Sequence, residues 1–229
     1  MNILAFDTSS PSGSIALSIH GLISYVSYFD IKITHSETLL PYIDECLKMH
    51  DLTINDIDKL IVTIGPGSFT GLRIGLASAK GIAMAREIPL LTYSTLQLLA
   101  SNCYGSELPI LAMIDAKMNE VYYALYSPGL EEIILPATVN PKELPLIIRD
   151  PVLAVGSGYL KYGEALIQNG MQLKPALPHQ HLPLASGLLS LYEKSADHTE
   201  YSFEKIADME PLYLRKSQAE VARENKLLK

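Results

Sequence analysis

The chain repeats itself. "ILAFD" at residues 3–7 is echoed by "ILAMID" at 110–115, and "DKLIVTIGPG" at 58–67 by "DPVLAVGSG" at 150–158, in the same order. Each unit is a short apolar run bounded by an acid and a glycine turn, the pattern of a buried strand feeding a loop. With Asp7 laid on Asp115, "AL" at 16–17 falls on "AL" at 124–125 without a gap. Such a repeat confines the fold to two similar α/β halves. We expect an N-terminal lobe over residues 1–105 and a C-terminal lobe over 106–204, joined near 101–108. A last segment, about 205–229, is expected to return to the first lobe.

Composition narrows the class. At 48% hydrophobic and 19% charged residues the chain is an ordinary globular protein, long enough at 229 residues to bury a substantial core. Its net charge of −7 argues against a broad electrostatic grip on nucleic acid, so any such role would run through a partner. Cys46 and Cys103 form no CxxC pair, which excludes a disulfide scaffold and a thiolate zinc site and suits a reducing cytosol. The start "MNILAFDTSS" lacks the basic, apolar pattern of a signal peptide, and no run approaches the ~20 apolar residues of a membrane span. A soluble cytoplasmic protein is expected.

The elements can be placed in order. "ILAFD", "SIALSI" and "LISYVSYF" read as three antiparallel strands, the last two separated by the hairpin dipeptide His20-Gly21. Residues 36–50 read as a helix with a capping box at Thr34 and Glu37 and a kink expected at Pro41. A buried strand then feeds "GPGSFTG" and a long helix ending near Arg86. Another strand follows at "PLLTYS" and a helix at "TLQLLASNCYG". The proline-bearing stretch at about 171–188 reads as an extended connector, "ASGLLSLYEKS" as a late helix, and "DMEPLYLRKSQAE" as an extended stretch ending in a polar tail.

Chemistry is sparse. Asp7 ends the first strand before a hydroxyl-rich turn that includes Ser9. It could anchor metal-bound phosphate or merely cap the turn, and the residues alone leave both readings open. Gly65 and Gly67 lie in a loop that leads into a helix, as a phosphate cradle does. Yet Leu72 and Arg73 follow Gly71 where a Walker A loop needs Lys-Ser/Thr, and Gly65, Gly67 and Gly71 are spaced G-x-G-x-x-x-G, not the dinucleotide G-x-G-x-x-G. Arg73, read as lying in the first turn after that loop, marks either an anion (a phosphate or a partner carboxylate) or a solvated side chain whose stem covers apolar surface. His179 and His181 read as incidental loop histidines. Gly71, Gly75, Ser78, Ala79 and Ile82 form a stripe nearly free of side chains, which another element must approach, from within the chain or outside it.

Together "ILAFDTSSPSGSIAL", "HSETLLPYID", "GPGSFTGLRIGLASAKGIA", "IDAKMNEVYYALY" and "PLYLR" closely resemble the TsaB (YeaZ) family, over residues 3 to about 220. The resemblance implies the acetate and sugar kinase/Hsp70/actin (ASKHA) fold with duplicated RNase H-like lobes. It implies a non-catalytic subunit that binds and activates the TsaD-type threonylcarbamoyl transferase, with a small ATPase, TsaE. The modified nucleoside is the adenosine beside the anticodon in tRNAs reading ANN codons. In TsaD-type relatives two histidines bind a metal where this chain has Thr95 and Leu99. The implied metal set is therefore none, the catalytic set none, and Asp7, Ser9, Gly65 and Gly67 a vestigial phosphate loop. No cofactor is expected on this chain alone, with ATP or ADP left open for the complex. The implied partner surface comprises Leu40, Tyr42, Ile43, Leu47, Gly71, Arg73 and Gly75. The same surface is open to homodimer formation, and tRNA contact is expected to be indirect. The alternatives are an ASKHA-type small-molecule kinase, which needs an intact ATP site and a general base, and a glycoprotease-like metallopeptidase, which needs the missing histidines. An RNase H-type nuclease is a weaker third, since the early acids do not cluster.

Overall fold

A computed structural model describes residues 1–30, 35–195 and 199–215. The first half runs β1 (Asn2–Asp7), β2 (Gly13–Ile19), β3 (Leu22–Phe29), α1 (His35–Lys48), β4 (Lys59–Thr63), α2 (Phe69–Arg86), β5 (Leu90–Tyr93) and α3 (Thr95–Ser101). The second runs β6 (Ile110–Lys117), β7 (Glu120–Tyr126), β8 (Glu132–Val139), α4 (Leu144–Ile147), β9 (Val152–Val155), α5 (Ser157–Gln168), β10 (Leu173–Pro175) and α6 (Ser186–Ser195). A short helix, α7 (Phe203–Asp208), follows.

The repeat is real at the level of topology. One sheet has the order β3-β2-β1-β4-β5, and the other, read from its far edge, β8-β7-β6-β9-β10. In both, the first three strands are antiparallel and the last two are added in parallel. His20 and Gly21 both take positive φ, 52° and 83°, as the two-residue hairpin demands. The ungapped echo is one residue out of register, however. Ala5 faces Ala16, whereas Ala124 faces Ala112 and not Met113, which the overlay puts beneath Ala5. A bulge between Asp115 and Lys117 takes up the difference.

The stretch at 171–188 corrects the sequence reading. It contains β10, paired in parallel with β9, and is the fifth strand of the second sheet rather than only a connector. Thr34 of the expected capping box, and the tail from residue 216, lie outside the described residues. α1 runs through Pro41 as one helix.

Three apolar clusters stack through the molecule. The central one lies between the sheets, with Ile3, Ala5 and Ile61 on one side, Ile110, Ala112 and Val155 on the other, and Leu98 of α3 and Leu188 of α6 between them. Outside the first sheet, α1 and α2 cover Leu4, Phe6, Ile15 and Leu60. Outside the second, α4 and α5 cover Leu111, Met113 and Val121. α7 lies on α2, where Ile206 joins the outer cluster and Lys80 Nζ donates to the carbonyl oxygens of Ala207 and Met209, each at 2.7 Å.

Candidate functional site

The loop 64–68 follows β4 and faces the turn after β1. Asp7, at the end of β1, is fully buried. It accepts from Thr63 Oγ1 at 2.5 Å and from the Ser9 backbone N–H at 3.3 Å. Burial pushes its carboxyl up to about 6, against the hydrogen bonds from Thr63 and Ser9 that hold it down. The carboxyl thus faces its own chain.

The glycines of the loop are used by the chain itself. A Cβ on Gly67 would strike the Ser9 carbonyl, and the Ser68 N–H donates to that same oxygen at 2.6 Å. A Cβ on Gly65, where φ is +111°, would lie 2.8 Å from Leu72 Cδ1 and 3.0 Å from the Leu212 carbonyl oxygen. From the C-terminal segment, the Leu212 N–H donates to Ile64 O at 2.7 Å. From α3, the Thr95 N–H donates to Gly65 O at 2.7 Å. Ser9 and Gly67 are therefore in contact, Asp7 is tied to the end of β4 through Thr63, and Leu212 of the C-terminal segment lies against Gly65.

The small-residue stripe has an internal occupant. Cβ atoms on Gly71 and Gly75 would collide with Thr8, whose Oγ1 donates to Gly71 O at 2.8 Å. His35, opening α1, clamps the same turn through Nε2 and the Ser10 carbonyl at 2.7 Å. This corrects the assignment of Gly71 and Gly75 to a partner surface: both are buried against β1's turn. Ile43 and Leu47 need the same correction. They are 4% and 3% exposed and belong to the cluster between α1 and the first sheet. Tyr42 is half-buried and stacks on Phe29 with ring centroids 4.5 Å apart. Leu40 is 51% exposed on an α1 face that carries Glu37, Pro41, Asp44, Glu45 and Lys48, and Met49, just past the helix end, is also exposed. Arg73 is exposed too. It stands at the fifth position of α2, not in the first turn, and its guanidinium lies 3.8 Å from the centroid of Phe69.

The second half seals the equivalent corner differently. Asp115 is ion-paired with Lys117 and Lys161, both at 2.9 Å. Burial alone would raise its pKa, but the hydrogen bonds from the two lysines outweigh that and hold the carboxyl below its usual range. His181 is buried, and its Nδ1 accepts from the Gly156 N–H at 3.0 Å. Burial also holds its imidazole below the usual pKa, in keeping with the acceptor role. His179 is exposed. Among the described residues no group of three His, Cys, Asp or Glu is placed to hold a metal. Thr95 and Leu99 lie in the central cluster or at its edge, 2% and 3% exposed. No helix among those residues is long and apolar enough to cross a membrane.

Two residues that bear on the site carry no local sequence signal. Tyr213 stacks on Phe69 with centroids 5.0 Å apart and its hydroxyl accepts from Arg73 Nε at 2.9 Å. Arg215 Nη1 reaches Glu120 Oε2 at 2.8 Å, so residues 212–215 bridge the loop of the first half and the β6–β7 hairpin of the second.

Two like sheets of one strand order, with a helix from each half packed between them, define an α/β protein with the duplicated ASKHA architecture. Component A of (R)-2-hydroxyglutaryl-CoA dehydratase from Acidaminococcus fermentans shares that fold. Its TM-score is 0.51 at 13% identity, over 86% of this chain and 100% of that one. A family model described as TsaD, tRNA N6-adenosine threonylcarbamoyltransferase, matches residues 31–146. The tRNA threonylcarbamoyladenosine biosynthesis protein TsaB of Haemophilus influenzae is 31% identical over 94% of each chain. YeaZ from Pseudomonas aeruginosa superposes with a TM-score of 0.78 at 30% identity, over 93% of this chain and 99% of that structure. The chain belongs to the TsaB (YeaZ) family.

Proposed function

We propose that this chain is the non-catalytic partner and activator of a TsaD-type transferase. In this role it is required for threonylcarbamoyl modification of the adenosine beside the anticodon in tRNAs reading ANN codons. The observation that carries the proposal is the packing of Ser9 and Leu212 against the glycine loop, with the Asp7 carboxyl turned inward. On this reading the occupied loop is not a phosphate site, and Thr95 and Leu99, both buried, are a poor and an impossible metal ligand. Exposed apolar and charged side chains lie instead on and beside the outer face of α1 and α2: Leu40, Pro41, Met49, Arg73 and Ala77. That face is the proposed docking surface for the transferase, in place of the buried positions named from sequence. A second copy of the chain competes for it in the free state. The TsaE ATPase joins the assembly, any ATP or ADP is held by the complex, tRNA is met through the transferase, and the work is done in the cytoplasm.

The test is reconstitution. The transferase, the adenylate-forming synthase and TsaE are supplied with tRNA, with and without this chain, and threonylcarbamoyladenosine is measured by mass spectrometry of digested nucleosides. Product is expected to fall at least tenfold without the chain. Equal product in both reactions would remove the proposal.

A further inference from the structure

The side chain of Arg73 is unusually constrained for an exposed residue. Reaching back along the helix, as long side chains do, it places its guanidinium carbon 3.8 Å from the Phe69 ring centroid and 5.8 Å from that of Tyr213. Nε is committed to the Tyr213 hydroxyl at 2.9 Å. Among the described residues no carboxylate lies within ion-pair distance of it, so the four N–H donors of the fork remain open. The first turn of α2 contains no acid that could pair with it from within the helix. Two rings, one supplied from 140 residues further along the chain, hold this charge in a single orientation.

We propose that Phe69, Arg73 and Tyr213 form a preorganised hook for a carboxylate of the docked protein partner. A planar fork already stacked on aromatic rings loses little freedom when it takes a bidentate carboxylate. The neighbouring surface decides between a protein carboxylate and an RNA phosphate. Behind Arg73 the exposed line of α2 continues through Ala77 and Gly81 to Ala85, which suits a packed protein element. A Cβ on Gly81 would have nothing within 4 Å, so the line is open to such an element. Beside it, the exposed face of α1 is apolar and of mixed charge, with Leu40 next to an Asp44–Lys48 ion pair at 2.6 Å, which suits a protein surface better than a phosphate backbone. The C-terminal segment therefore has two roles. It covers the glycine loop through Leu212, and it supplies the ring and hydroxyl that aim the fork.

The inference rests on the reading that the α1/α2 face docks the transferase. It is tested by measuring affinity for the purified transferase subunit at low and high salt. Arg73→Gln is expected to weaken binding at least about tenfold and to flatten its salt dependence. Arg73→Lys should not restore it, because an ammonium lacks the planar fork. Tyr213→Phe, which keeps the ring and loses the hydroxyl, should cost a few-fold, and Tyr213→Ala more. Ala77→Arg serves as the control for the face itself. If Ala77→Arg destroys binding while Arg73→Gln leaves affinity or its salt dependence unchanged, the hook is wrong and the docking face stands. If Ala77→Arg has no effect, the docking face falls. Weakened binding of bare tRNA by Arg73→Gln, with transferase affinity intact, would instead assign the fork to RNA and overturn the proposal.

Discussion

The two halves share a strand order and differ at the place where each first strand ends. In the first, Asp7 is buried, pushed up to about 6 by burial and tied to Thr63, and Leu212 bonds to Ile64 at the start of the glycine loop. In the second, Asp115 lies near the surface between two lysines that hold its carboxyl low. Their outer layers differ as well. α1 and α2, of 14 and 18 residues, cover the first sheet and expose Leu40, whereas α4 and α5, of 4 and 12 residues, cover the second. A duplicated fold keeps its sheets because their cores demand it. Loops and outer helices are free to diverge, and here the first half's have become a seal and a surface.

The largest expected effect is at the seal. Gly71→Val would drive a side chain into the Thr8 carbonyl and should cost at least about 3 kcal/mol of stability, read by chemical denaturation. Gly81→Ala, ten residues further along the same helix but with open space beside it, should be neutral or stabilise by up to about 1 kcal/mol. Comparable losses from both would mean that α2 does not pack on β1's turn. Ile43→Glu belongs with Gly71→Val. It puts an unpaired charge into the cluster beneath α1 and should unfold the protein, not merely block binding.

Next come the two acids, whose pH dependences run in opposite directions. Asp7 has a raised folded pKa, so its stabilising contribution is complete below the ordinary value of 3.8 and is lost as pH rises through about 6. That window corresponds to about 3 kcal/mol. Asp115 has a lowered pKa, so its contribution is present above 3.8 and is lost as pH falls through the folded value. With exposed lysines as partners it should amount to less than about 1 kcal/mol. Denaturation midpoints from pH 4 to 8 test this. The stability of wild type relative to Asp7→Asn should decline with rising pH. Relative to Asp115→Asn it should rise slightly at the acid end. A flat Asp7→Asn difference would show that the carboxyl is not desolvated.

Much of this architecture was legible in the residues. His20-Gly21 marked its hairpin, and the two apolar strands feeding glycine turns marked the duplication. β10 was not, because three residues ending in Pro175 carry no alternation and their pairing with β9 is set by the sheet. The closing of the loop was invisible for a different reason. Leu212 meets Ile64, and Tyr213 meets Phe69 and Arg73, across about 140 residues of chain, and nothing in "PLYLR" announces either contact. The stripe at Gly71 and Gly75 correctly signalled a close approach, but spacing could not say that Thr8 makes it. In α1 the apolar residues exceed one stripe, so periodicity left Ile43 and Leu40 interchangeable, and only the packed sheet separates them.

The central claim is that the outer helices of the first half, and not the exposed edge strand β8 of the second, carry the association with the transferase. Leu40 is 51% exposed on α1 and Leu135 is 67% exposed on β8, so a glutamate at either position should leave the fold intact. Titration calorimetry of each variant against the transferase subunit compares the halves directly. Leu40→Glu is expected to weaken binding by at least about thirtyfold, the equivalent of ~2 kcal/mol, while Leu135→Glu binds as wild type does. Wild-type affinity for Leu40→Glu, or a larger loss for Leu135→Glu, would contradict the account.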